Sequence, residues 1–182
     1  MQMTETSASS RRATDWREIE RTTLREVLMG AQDNLTNVLA VVLGVAVGAG
    51  RAELVALAGL AAGIAESISM AGVLYTSTRA ERDLAQAGES VRPRLEPWQA
   101  GAVCFVAALI AGLVPLAPFA VLELGPALAL ALVLSVSALF GLGSWTATVT
   151  GRKWREEGLR LVLIAGAAAT AAAAIGALLR VD

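Results

Sequence analysis

Residues 29–50 read MGAQDNLTNVLAVVLGVAVGAG, and this stretch has the length and composition of a helix that crosses a membrane. A helix needs about 20 mostly apolar residues to cross the hydrocarbon layer. Asp33 interrupts the pattern, because it places a carboxylate just inside the first end of the stretch. An ionised carboxylate at the centre of such a helix costs about 2.5–3.5 kcal/mol on insertion scales. Asp33 therefore needs a partner or a function.

Four further apolar runs of similar length predict an all-α membrane protein. The chain has 182 residues, 55% of them hydrophobic and 17% charged, with a mean hydropathy of +0.61. The predicted transmembrane helices cover about 29–49, 54–75, 98–119, 126–148 and 159–179, and their connections are too short to fold as a soluble domain. We expect one five-helix transmembrane domain over residues 29–182.

The segment before the first span has a different composition. Residues 1–14 are rich in Ser, Thr and Arg, which predicts a disordered cytoplasmic tail. Residues 15–28 place Trp16, Ile19 and Leu24 on one side of a helix and charged residues elsewhere, which predicts an amphipathic helix at the membrane interface. The alternative is a simple extension of the first transmembrane helix.

Basic residues are concentrated on one side of the predicted membrane. They lie before span one, between spans two and three, and between spans four and five, whereas Arg51 and Arg180 fall on the other side. The positive-inside rule then predicts a cytoplasmic N-terminus and an outside C-terminus. The lack of a targeting segment and the short Ala/Arg-rich sequence favour a bacterial plasma membrane. The alternative is the membrane of a eukaryotic organelle.

The residue types present limit the chemistry of the protein. The chain has no histidine and a single cysteine, Cys104, so neither imidazole ligands nor an intramolecular disulfide is available. No Gly-x-Ser-x-Gly elbow or other recognisable pair of nucleophile and base is present, so we expect no enzyme. We also expect no bound cofactor and no nucleic-acid partner.

A candidate metal site follows from residues on the first two spans. Of sixteen acidic residues, only Asp33 and Glu66 are predicted inside spans. Met29, Asp33 and Asn37 share one face of span one, and Glu66 and Met70 share one face of span two. In a hairpin, Asp33 and Met70 lie roughly 7 Å inside one boundary, with Glu66 about one turn deeper. Oxygen and sulfur donors together suit Fe²⁺ or Mn²⁺ better than Mg²⁺ or Ca²⁺.

Each of these residues also has a structural interpretation. Asp33 caps a helix that begins at Asn34 if the preceding helix ends at Gly30. Independently, Glu66 is a protonated residue hydrogen-bonded to a neighbouring span, and Met29 and Met70 only pack. The amide ligand is either Asn34 or Asn37, with Ser69 nearby. Separately, the glycine pairs Gly44/Gly48 and Gly59/Gly63 predict close packing of spans one and two.

Four segments resemble the vacuolar iron transporter family, whose members move Fe²⁺ and Mn²⁺ out of the cytosol. They are REVLMGAQDNLTNVLAVVLGVAVGAG (25–50), ISMAGVLYTSTRAERD (68–83), AGLVPLAPF (111–119) and LFGLGSWTATVTGRKWREEGLRLVLIAGAAATAAAAIG (139–176). The resemblance implies a homodimer of five-helix protomers, a cation pathway between the subunits, and proton antiport. Carried over to this chain, Asp33 is the membrane carboxylate of helix one and Met70 the methionine of the Ser-Met-Ala segment.

The chain departs from that family at two places. Ala62 stands where the family often has a glutamate, and Glu66 lies one turn later on nearly the same face. Residues 76–97 form only a short mixed-charge linker in place of a glutamate-rich metal-binding insert. We therefore expect a homodimeric exporter of Fe²⁺ or Mn²⁺, in contact with lipid and coupled to protons. The alternative is a non-transporting membrane scaffold or regulatory protein on the same fold.

Overall fold

A computed structural model describes residues 3–88 and 95–180, with side chains from residue 23 onward. Within these residues the chain forms five α-helices and no strand, which confirms the all-α class. The helices are α1 (Met3–Ala49), α2 (Ala52–Gln86), α3 (Pro97–Leu113), α4 (Leu124–Thr150) and α5 (Trp154–Leu178). A short 3₁₀ helix, Ala117–Ala120, lies between α3 and α4.

Small residues face the interior of the bundle and large apolar residues face outward. The buried residues of α4 recur every four positions and are Ala127, Ala131, Ser135, Leu139, Gly143 and Ala147. By contrast Leu57, Ile110 and Leu163 are each more than 60% exposed. Close helix packing through small residues with an apolar exterior is typical of helices surrounded by lipid. Four of the described helices are long and apolar enough to cross a membrane: α1 from Thr23, α2, α4 and α5.

Helix α3 is shorter than the predicted span 98–119. Its 17 residues rise about 26 Å, against a hydrocarbon thickness of about 30 Å. Pro115 and Pro118 follow its last residue, and neither has the backbone N–H that a continuing helix would donate. The count of five membrane-crossing helices therefore stays a prediction.

Helix α1 begins earlier than its predicted span. It runs without a break from Met3 to Ala49, so the segments predicted as a tail (1–14) and as a separate helix (15–28) belong, from residue 3, to one helix. The stretch 3–29 contains no Gly or Pro that would interrupt it. Side chains before residue 23 lie outside those described, so an interfacial position for 15–28 stays a prediction.

Helix α2 ends later than its predicted span. It continues from the expected end at Tyr75 to Gln86, so half of the predicted linker 76–97 is helical, while residues 89–94 lie outside the described range. Arg25 on α1 lies 3.3 Å from Glu81 on this extension. Arg82 lies 2.6 Å from Glu96, the N-cap residue of α3. We call this side of the bundle, which also carries Lys153 and Arg155, the basic end.

Helix α1 is the centre of the bundle and contacts each of the other described helices. Its glycines mark the closest approaches. A Cβ on Gly44 would lie 3.1 Å from the Ala172 carbonyl oxygen, and one on Gly48 would lie 3.2 Å from that of Gly176. The expectation that Gly44 and Gly48 pack against span two is thus wrong, because their close partner is α5. Gly63 on α2 does face α1, at Val38.

Candidate cation site

The carboxyl groups of Asp33 on α1 and Glu66 on α2 lie close enough to interact with each other. Both side chains are half-buried. Two carboxyl groups this close repel each other when both are ionised, so the pair is stable with a shared proton or with a cation. The structure thus brings together the two carboxylates predicted to lie inside spans. The interpretation of Asp33 as a helix cap is wrong, because α1 is continuous through this position.

Glu66 lines an open groove between α1, α2 and α5 with a volume of about 820 Å³. Asn37 and Ser69 contribute the groove's other polar side chains, and Ala62 lies on the same wall as Glu66. Asn37 is exposed, so its amide is free to face a ligand. Glu66 therefore shares one groove with Ala62, which stands where the resembling family often has a glutamate.

Asn34 has a structural role that excludes it from the groove. Its side chain is fully buried, and its Nδ2 donates to the carbonyl oxygens of Ala108 (2.7 Å) and Gly63 (3.1 Å) and to Oγ of Ser67 (3.0 Å). Ser67 Oγ in turn donates to the Gly63 carbonyl oxygen at 2.7 Å. This junction ties α1, α2 and α3 together. Of the two amides left open by the sequence, Asn37 is the one available for a cation.

Met29 and Met70 lie in a different place from the groove. Both pack against a buried cluster formed by Leu74, Ala100 and Cys104, which joins α1, α2 and α3 at their basic ends. Neither methionine is among the residues that line the groove. Their role as ligands beside Asp33 stays a prediction, and their visible contacts are with Cys104 and its neighbours.

Glu26 is a buried carboxylate that the sequence analysis placed outside the spans. Its side chain is 6% exposed, and its Oε2 atom is buried without a hydrogen-bond partner. Glu26 precedes Asp33 by seven residues, or two helical turns, so the two lie on one face of α1. The seven-residue spacing from Asp33 is the sequence feature that could have identified Glu26 as buried. The charged residues around Glu26 instead give it the pattern of a solvated residue.

The described side chains of one protomer do not form a complete metal site. Among the residues whose side chains are described, no three His, Cys, Asp or Glu side chains form a group that could hold a metal ion. Divalent cations take four to eight ligands in proteins, depending on the metal. Asp33, Glu66 and the neighbouring amide and hydroxyl groups therefore need further donors, from water or from a second chain.

Apolar helices around a groove lined by Glu66, with Asp33 close to it, define a helical membrane protein with a pair of carboxyl groups between its helices. A sequence model of the VIT family matches residues 24–95 and 86–177. The chain therefore belongs to the VIT family, which confirms its resemblance to the vacuolar iron transporters. Members of this family are transporters and not enzymes, and membership indicates membrane transport of metal ions. A search of curated proteins finds no match to this chain.

Proposed function

We propose that this protein exports Fe²⁺ or Mn²⁺ from the cytoplasm in exchange for protons. The observation that supports this most strongly is the closely placed pair of carboxyl groups, Asp33 and Glu66, beside the groove. Both side chains are half-buried on apolar helices. Carboxyl groups in that setting are costly unless they serve binding or transfer.

The pair provides a simple means of coupling. Bound metal favours the ionised carboxylates, and protons compete with metal for the same oxygens. A cation that arrives from the cytoplasm displaces the proton, and protons that return from the far side displace the cation. Transport of one species therefore drives the other in the opposite direction.

A second copy of the chain completes the site in this proposal. The groove is open between α1, α2 and α5 and most of its lining residues are apolar, so a helix of a second copy would bury them. Two protomers with facing grooves contribute two Asp33–Glu66 pairs and two Asn37 amides. That set reaches the ligand number that one protomer lacks.

The charge distribution supports the direction of transport. The basic end of the described bundle carries Arg25, Arg82, Lys153 and Arg155, whereas Arg51 and Arg180 lie at the opposite end. The positive-inside rule assigns the basic end to the cytoplasm. The pathway then opens on the cytoplasmic side near Asp33 and leads outward, across a bacterial plasma membrane.

The test is flux of Fe²⁺ and Mn²⁺ into proteoliposomes, with and without an imposed pH gradient. The comparison includes wild type, Asp33→Asn and Glu66→Gln, each checked for dimer formation by size-exclusion chromatography. Glu53→Gln is the matched control, because Glu53 is a carboxylate of the same helix with an 81% exposed side chain. We expect gradient-driven flux in wild type and in the control, and its loss in both site variants.

Two other outcomes would change the proposal in different ways. Flux that does not respond to the pH gradient would rule out proton antiport while leaving metal transport in place. Absence of flux for both metals from a correctly folded wild-type protein would favour the non-transporting scaffold or regulatory protein.

A further inference from the structure

The side chains of Asn34 and Ser67 meet directly beside the two carboxylates of the candidate site. Asn34 Nδ2 donates to Ser67 Oγ at 3.0 Å, and both residues are fully buried. Asn34 follows Asp33 in α1, and Ser67 follows Glu66 in α2. This hydrogen bond between α1 and α2 therefore lies one residue away from each carboxylate.

The junction fixes how α1 and α2 are rotated against each other. Asn34 Nδ2 also lies 3.1 Å from the Gly63 carbonyl oxygen, one turn before Ser67, and Ser67 Oγ donates to that same oxygen at 2.7 Å. The amide of α1 thus spans one turn of α2. A rotation of either helix by one residue, about 100°, would take the amide and the hydroxyl out of hydrogen-bond distance. The directions in which Asp33 and Glu66 leave their helices are fixed with it.

Helix α3 encloses the same amide from the other side. Asn34 Nδ2 donates to the Ala108 carbonyl oxygen at 2.7 Å. A Cβ on Gly112 would lie only 2.6 Å from Nδ2, so α3 needs a glycine at this position. On the α2 side, a Cβ on Gly63 would lie 3.2 Å from Val38 of α1. The amide is therefore held between the backbones of α2 and α3.

The two carboxylates need such support because they are half-buried beside an open groove. A binding site works when its ligands are held within about 0.5 Å of the productive geometry. A helix with its side chains has an outer radius of about 5–6 Å, so a rotation of about 10° moves a group there by roughly 1 Å. Small rotations of α1 or α2 would thus separate the Asp33 and Glu66 carboxyl groups.

We propose that Asn34 and Ser67 are positioning residues for the cation site, and that their buried hydrogen bond sets the separation of the Asp33 and Glu66 carboxyl groups. Both act through the backbone of the residue that precedes them in the chain. Their hydrogen bonds need no proton transfer, so the arrangement persists while the carboxyl groups exchange a proton for a cation. This role rests on the proposed function, because it requires that the carboxyl groups bind a cation.

The test combines equilibrium binding of Mn²⁺ with its flux into proteoliposomes. Binding to the full-length protein in detergent is measured from the loss of the electron paramagnetic resonance signal of free Mn²⁺. Ser67→Ala removes the hydroxyl and keeps both carboxylates. We expect the Kd and the KM for Mn²⁺ to rise about 10-fold to 100-fold, as on removal of groups that orient metal ligands. Maximal flux per folded dimer should change less than KM.

Two control variants separate positioning from stability. Ser135→Ala is the matched serine substitution, because Ser135 of α4 is fully buried and its Oγ has no hydrogen-bond partner among the described residues. Gly143→Ala should destabilise the protein by overpacking, since a Cβ there would lie 2.6 Å from the Glu157 carbonyl oxygen of α5. Both controls should bind Mn²⁺ as wild type does. Weaker binding in Gly143→Ala would show that general destabilisation is enough to change the affinity, against a positioning role.

A double-mutant cycle tests whether Ser67 acts through Glu66. Glu66→Gln alone should weaken Mn²⁺ binding. Ser67→Ala should then add little to that loss, because the group that it positions has already lost its charge. Additive losses would show that Ser67 affects binding by another route, against the proposal.

The outcomes distinguish this role from the transport mechanism. Wild-type Kd and KM in folded Ser67→Ala would overturn the positioning role and leave the proposed transport in place. Weaker Mn²⁺ binding in Ser67→Ala, without gradient-driven flux in wild type, would overturn transport and leave the positioning role. Absence of Mn²⁺ binding to wild type would overturn both.

A second variant serves if Ser67→Ala does not fold. Ser67→Cys keeps a side chain of similar size and replaces the hydroxyl with a weakly hydrogen-bonding thiol. Mn²⁺ prefers oxygen ligands, so the thiol does not supply a competing site. We expect the same rise in Kd and KM, and wild-type values in folded Ser67→Cys would overturn the proposal.

Discussion

Asp33 and Asn34 are neighbours in the sequence, yet they belong to two very different polar regions of α1. Asn34 is fully buried, and its amide nitrogen has three acceptors from α2 and α3 within 3.1 Å. Asp33 is half-buried and meets the carboxyl group of Glu66. The amide donates hydrogen bonds that need no proton transfer, whereas two carboxyl groups require a proton or a cation between them. Asn34 therefore fixes the packing of the helices, whereas Asp33 is free to exchange its ligand.

The largest expected effect is a change in metal flux when Asp33 is substituted. Asp33→Asn keeps the size and the hydrogen-bonding capacity of the side chain but removes its charge. We expect metal flux to fall roughly 100-fold or more, because loss of an anionic ligand costs binding free energy and each 1.4 kcal/mol lowers the rate about tenfold. Proteoliposome uptake measures this, with Glu53→Gln, at an 81% exposed side chain, as the control that retains flux. Wild-type flux from Asp33→Asn would contradict the distinction between the two regions.

The next largest effect is expected on the free energy of unfolding when Asn34 is substituted. Asn34→Ala removes an amide whose two N–H groups are shared among three buried acceptors. Hydrogen bonds between membrane helices are worth about 0.6 kcal/mol on average and at most about 1.7 kcal/mol. We expect a loss of about 2–3 kcal/mol in the free energy of unfolding, measured by denaturant or detergent-induced unfolding. Asn37→Ala serves as the control, because Asn37 is exposed in the groove. Equal losses in both variants would show that burial of the amide is irrelevant to its contribution.

A smaller effect is expected where α1 meets α5. A Cβ on Gly176 would clash with the Gly44 carbonyl oxygen, whereas one on Gly166 of the same helix would meet nothing within 4 Å. Gly176→Ala should therefore destabilise the protein by about 1–2 kcal/mol through overpacking. Gly166→Ala should stabilise it by up to about 1 kcal/mol through helix propensity. The same unfolding assay compares the two, and destabilisation by Gly166→Ala would point to a contact that the bundle does not show.

The smallest effect is expected at the basic end. Arg25 and Glu81 form an ion pair whose side chains are 55% and 32% exposed. Exposed pairs contribute at most about 1 kcal/mol and are screened by salt. Glu81→Gln should therefore change the unfolding free energy by less than about 1 kcal/mol at low salt, and the difference should vanish at high salt. A larger, salt-independent loss would give this exposed pair a structural role comparable to that of Asn34.

The sequence predicts the helical class and the meeting of Asp33 with Glu66, because both follow from helical spacing and from the antiparallel path of a short hairpin. It does not predict the burial of Glu26, since a glutamate in a charged segment has the pattern of a solvated residue. It also assigns Gly44 and Gly48 to the wrong partner helix. Periodicity identifies which residues share a face, but it contains no information on which helix covers that face.

The length of α2 shows the same limit at a different scale. Its apolar sequence ends near Tyr75, yet the helix continues to Gln86 because good helix formers follow. The first glycine after them is Gly88, whose φ is 93°. Hydropathy locates the membrane-crossing part of a helix, and only the next helix-breaking residue locates its end. Met29 and Met70 illustrate a third limit, since their spacing predicts proximity to Asp33 but not their packing around Cys104.

The short helix α3 has a consequence for the lipid around the protein. At about 26 Å it is several ångströms shorter than an average hydrocarbon layer, while α2 beside it is much longer. A short apolar helix is accommodated by local thinning of the bilayer, at a fraction of a kcal/mol for each ångström of mismatch. Lipids with shorter acyl chains should therefore gather along the α3 side of the bundle. Membrane thickness then becomes a variable that acts on the junction of α3 with α1.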